Sequence, residues 1–175
     1  MFKNWRIGTF NGVLLAAYFI PTWAIIAYGI TIAPVHGLYQ RPSISVALFI
    51  SDHLQLASTA TVRVAWLLAL ARLTVVAFFA IFLFSAARAS IRKTGGYDEA
   101  LALALAIGSV ISFASMWIAS QVGETAALRL HATELLMLLG SAIVLVVERP
   151  AQQRTNRGVT ADASTLEQTQ LSHNG

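Results

Sequence analysis

The chain contains no cysteine. Disulfides, thiolate metal sites and thiol nucleophiles are thereby excluded, and with them the dithiol redox chemistry open to other small four-helix membrane proteins. Charge is scarce as well, at 11% of residues against 57% hydrophobic, a balance far from that of water-soluble domains. Lipid must be the solvent for much of the 175 residues. Also absent are a glycine-rich phosphate loop, a His-Glu-x-x-His metalloprotease motif, a Gly-x-Ser-x-Gly elbow and a pair of broken helices in matching halves. The formal surplus of +4 fits basic cytoplasmic loops, so no nucleic-acid partner is expected.

What is present is a set of long uncharged runs. No charged residue falls between Arg6 and Arg41, and four stretches, 11–33, 64–87, 100–120 and 128–147, are each long enough to cross a hydrocarbon core of ~30 Å. The expected fold is all-α, an integral membrane four-helix bundle occupying residues 1–149. Lys3 and Arg6 resemble the start of a signal peptide, but an apolar run of ~20 residues exceeds the ~7–15 of a cleaved one, so the first run is read as a retained span. Pro21 inside it should kink that helix, because proline removes a backbone donor and clashes with the preceding turn.

Lys and Arg set the direction. Lys3, Arg6, Arg88, Arg92, Lys93, Arg149, Arg154 and Arg157 would face one side, and only Arg41, Arg63 and Arg129 the other. By the positive-inside rule both termini are cytoplasmic, and compactness with this charge bias assigns a multi-pass protein of a bacterial inner (plasma) membrane. Between spans one and two, Pro34 and Pro42 precede an apolar run over residues 44–50 that is too short to span, followed by polar residues 51–55. This segment reads as an extracytoplasmic interfacial or re-entrant helix. Beyond Pro150 the composition turns to Gln, Thr, Asn, Ser, Asp and Gly, which predicts a disordered cytoplasmic tail over 150–175.

Two ionisable residues interrupt the spans, Arg72 and Glu134, and each is costly if it faces lipid. Arg72 stands 16 residues before Arg88 and Glu134 stands 14 before Glu148, heights of about 24 and 21 Å at 1.5 Å per residue. An Arg72–Glu134 ion pair inside the bundle is therefore expected, with His131 on the same helix face as Glu134. The first reading of this buried polar site is a structural clamp that fixes helix register; the second is a polar cavity for a proton, an ion or a head group.

No cofactor is expected, but one alternative is kept: His36, His53, His131 and Glu134 fall on one side of the membrane and could hold a metal ion, or facing histidines a haem. On the third span Gly108, Ser112 and Ser115 form a small-residue stripe suited to close helix packing. The functional expectation is a non-catalytic accessory or structural subunit of a membrane complex, with other membrane subunits or copies of itself as partners in the lipid bilayer. The alternatives are an oligomeric transporter or channel built on the Arg/Glu/His site and a metal- or haem-binding redox protein.

Overall fold

A computed structural model describes residues 7–88 and 97–148; the tail expected at 150–175 lies outside them. Every regular element among the described residues is helical. Four helices are long and apolar enough to cross a membrane: α1 (Ile7–Ile32), α4 (Ser58–Ala87), α5 (Tyr97–Gln121) and α6 (Thr125–Glu148). Between α1 and α4 lie two short helices, α2 (Pro34–Leu38) and α3 (Ile44–Phe49), the second running on into a π-helical turn at Ile50–Leu54.

The long helices extend past the expected limits because hydropathy registers only the oily part of a helix. α4 begins at Ser58 rather than 64, with Thr59, Thr61 and Arg63 in its first turns; such residues are tolerated near the ends of a span, where polar groups reach water or head groups. α1 passes through Pro21 without interruption.

Burial in α4 and α6 follows one rule. In α4 the buried positions are Ala65, Ala69, Arg72, Val75, Phe79, Phe82 and Ala86, and in α6 they are Ala127, His131, Glu134, Leu138, Ser141 and Leu145. Steps of three and four residues make a single inward seam in each, the pattern of helices packed in a left-handed bundle. Phe19 stacks on Phe79 at 5.7 Å and meets Trp23 edge-on at 5.2 Å, filling the lower core with rings. The stripe of α5 also turns inward: Ser112 and Ser115 are buried, and a Cβ on Gly108 would stand 3.3 Å from Leu138 of α6, so glycine there lets the two helices approach closely.

The α5–α6 connection is a Schellman turn, with Gly123 at φ +70° and Glu124 N donating to Ala119 O at 3.0 Å. Glycine takes that left-handed conformation without steric cost. At the far end of the chain's fold, α1 and α6 meet: Gly8 N lies 3.1 Å from both carboxylate oxygens of Glu148, which places a negative charge at the positive end of α1. The beginning of α1 and the end of α6 therefore sit at the same end of the bundle.

The segment between α1 and α4 packs into the opposite end rather than lying loose. Leu38, Val46, Ala47 and Ile50 are buried with Ala27, Ile30, Ala65 and Ala69 in one apolar cluster. Its tightest point is Gly37, where a Cβ would fall 2.7 Å from Ile30 Cα and 2.8 Å from Ile30 N. Because that obstacle is backbone, Gly37→Ala is expected to displace α2 and cost about 1–3 kcal/mol, in line with overpacked cores; thermal unfolding of the purified protein measures it.

Candidate functional site

Seam positions at one height form a polar layer. Trp23 stands 16 residues from the start of α1, Arg72 15 from the end of α4, Ser112 15 from the start of α5 and Glu134 14 from the end of α6, all about 21–24 Å from the same end. Helical side chains lean toward the helix N-terminus. Since α4 and α6 both start at the end where the α2–α3 segment packs, Arg72, His131 and Glu134 all lean toward that segment.

The structure brings these three residues together, each with 2–3% of its surface exposed, but without a direct Arg72–Glu134 bond. Arg72 Nη1 donates to Ser43 Oγ at 2.9 Å and Nη2 to the Pro42 carbonyl at 3.4 Å. Glu134 takes its hydrogen bonds from elsewhere: Trp23 Nε1 donates to Oε1 at 3.1 Å, and His131 Nδ1 lies 2.9 Å from Oε2. His131 Nε2 then reaches the same Pro42 carbonyl at 3.2 Å. The guanidinium sits 6.0 Å from the centroid of the Trp23 ring, which closes the circuit electrostatically. The expected ion pair is thus replaced by a ring that includes a tryptophan and a backbone carbonyl. The reason is the path of the chain: the turn at Pro42–Ser43 reaches Arg72 first.

The ring fixes a proton count. A carbonyl oxygen only accepts, so the contact at Pro42 requires hydrogen on His131 Nε2. With that proton placed, the 2.9 Å contact between Nδ1 and Oε2 is a hydrogen bond only if a second proton lies between them, on the imidazole or on the carboxyl. In the arrangement in which both contacts are hydrogen bonds, His131 and Glu134 share two protons and carry no net charge between them. Arg72 remains as the charge of the layer, and its Nε is one of the buried polar atoms without a partner, along with Ser45 Oγ and Ser112 Oγ.

The remaining candidates fall elsewhere. His36 is exposed on α2, and His53 is exposed on the π-helical turn, stacked on Phe49 at 4.8 Å. Among the described residues no three His, Asp or Glu side chains group as a metal site, so the four-ligand set His36, His53, His131 and Glu134 is not assembled. Both ring nitrogens of His131 have partners within the layer. A second, smaller polar contact joins α1 to α6 below the layer, where Asn11 Nδ2 donates to Ser141 Oγ at 2.6 Å and Ser141 Oγ to Met137 O at 2.8 Å.

Sequence reasoning missed Trp23, Ser43 and the Pro42 carbonyl. A tryptophan too deep for an interfacial belt was a usable signal, because a buried indole N–H needs an acceptor and Glu134 is the acceptor at its height. Nothing in the residue types marks a backbone carbonyl as a partner. No protein-family model, curated protein or solved structure matches this chain.

Proposed function

We propose that this protein crosses a bacterial inner membrane four times with both termini in the cytoplasm, and that it serves as a non-catalytic accessory or structural subunit packed against other membrane subunits or copies of itself. The observation that carries this reading is the closure of the polar layer. Its ionisable side chains are buried and bonded chiefly to one another and to the Pro42–Ser43 turn, so they hold the α2–α3 segment on the bundle instead of facing a surface. A buried charged network of this kind specifies register and position more than it adds stability.

Topology is supported from several directions. The Gly8–Glu148 contact puts the two ends of the fold on one side, and the basic residues favour the cytoplasm for that side. Trp66 and Trp117 are exposed within the half of the bundle nearer the α2–α3 segment, where aromatic rings suit a membrane interface. The burial of Leu38, Val46 and Ile50 fits a re-entrant rather than a surface-lying segment. Outward faces such as Ile25, Leu67, Val110, Leu136 and Val147 are highly exposed and apolar, as lipid or a neighbouring helix requires.

The experiment is purification from native membranes in mild detergent after in-membrane cross-linking. A fixed-stoichiometry assembly with a second membrane protein or with itself is expected, and a monomer under both conditions would refute the accessory role. One observation favours a second reading, an oligomeric transporter or channel: the unpartnered, buried Arg72 Nε leaves a donor available within the layer. Proteoliposomes decide it, since an ion or proton flux abolished by Glu134→Gln would replace the accessory reading.

A further inference from the structure

We propose that His131 and Glu134 form a binding site for a single proton, and that this proton latches the α2–α3 segment onto the bundle. The inference rests on the donors and acceptors of the buried layer and not on the accessory role. With the proton bound, His131 donates through Nε2 to Pro42 O and the pair is bridged between Nδ1 and Oε2.

When the proton leaves to water, one hydrogen remains on the imidazole for two acceptors. On Nε2 it leaves a lone pair facing the carboxylate at 2.9 Å; on Nδ1 it leaves one facing the Pro42 carbonyl at 3.2 Å. One contact must break. Hydrogen bonds to an ionised acceptor are roughly twice as strong as neutral ones, so the bond to Glu134 survives and the bond to Pro42 is lost.

The same event changes the partner of Arg72. While the proton is bound the carboxylate charge is either absent or matched by the imidazolium, and the guanidinium turns to Ser43 and Pro42. Once the proton is gone, Glu134 carries an unmatched negative charge in a low-dielectric layer beside an arginine whose other partners are neutral, and a direct Arg72–Glu134 pair becomes the favoured arrangement. Forming it releases Ser43 and the remaining bond to Pro42. The layer therefore has two discrete arrangements, a protonated one bonded to the segment and a deprotonated one bonded within the bundle, as a switch requires.

The groups facing the pair are few. Arg72 approaches from α4, the Trp23 indole and the Tyr18 phenol from α1, and the neutral Pro42–Ser43 turn from the segment. At this height α5 presents Ser112, which does not titrate in this range.

The absence of native cysteine makes the test clean. Ser45→Cys places a thiol on α3 at a position with no exposed surface, and its labelling by a maleimide reports undocking of the segment in the full-length protein in vesicles. Labelling is followed across roughly pH 5 to 8, the range in which histidine-centred sites change charge. The reference is the same cysteine combined with Glu134→Gln, whose amide N–H donates to His131 Nδ1 at every pH and whose oxygen still accepts from Trp23, mimicking the protonated site. Taking the ratio of the two rates cancels the titration of the thiol itself.

The ratio is expected to rise with pH, by up to about tenfold per unit as one-proton linkage allows, and to level off once the site is empty. A ratio that does not change with pH, whatever its value, overturns the proposal. If Ser45→Cys does not fold, Leu38→Cys on α2, also fully buried, carries the same measurement.

Discussion

Replacing Glu134 with leucine should destabilise the folded bundle by about 3–5 kcal/mol, the range seen when one member of a buried charged network is removed. The cause is threefold and local. Trp23 Nε1 loses its acceptor, His131 Nδ1 loses its partner, and the buried layer that also holds Arg72 loses its carboxylate. Glu134→Gln, which keeps the acceptor for Trp23 and supplies a donor to His131, is expected to recover most of that loss. Chemical or thermal unfolding in detergent measures both, and a Glu134→Leu protein as stable as its parent would remove the polar layer from any account of the fold.

The second large effect is at Arg72 and is of a different kind. Arg72 makes no direct bond to Glu134, and Arg72→Met exchanges a buried ion that is costly to desolvate for an apolar side chain of similar length. The melting of the bundle should therefore move by only about 1 kcal/mol. The segment between α1 and α4 should respond strongly, since it loses the bonds from Arg72 to Ser43 and Pro42. At about 1.5–3 kcal/mol for a hydrogen bond to a charged group, proteolytic cleavage within residues 39–57 should accelerate at least ~10-fold. An unchanged cleavage rate would mean that the apolar cluster alone holds the segment.

The two substitutions together separate a ring from a simple pair. If Arg72 and Glu134 only compensated each other, the double leucine variant would regain the stability of the parent. In the ring it should not, because Trp23 and His131 remain without their acceptor whether or not Arg72 is present.

These outcomes show how far the residues alone could be read. Four long apolar helices and the shared height of Arg72 and Glu134 followed from hydropathy and a rise of 1.5 Å per residue, which are properties of single helices. The small-residue stripe of Gly108, Ser112 and Ser115 is visible as spacing, which does not say which way it faces. The bonding of Arg72 did not follow from the residues, because it depends on where residues 42 and 43 travel in three dimensions, and a loop anchored by one glycine against Ile30 backbone leaves no periodic trace. His36 and His53 misled for the same reason. Sharing a side of the membrane is a statement about height, whereas coordination requires closeness in the membrane plane as well.

The contacts between α1 and α6 also order events during synthesis. Gly8, Asn11 and Trp23 find their partners 140, 130 and 111 residues further along the chain. The first helix is thus made long before Glu148, Ser141 and Glu134 exist, and until then its indole and amide have no such partners. Synthesis halted before residue 125 would leave three long helices with an open side, the Trp23 indole and the Asn11 amide still without their partners.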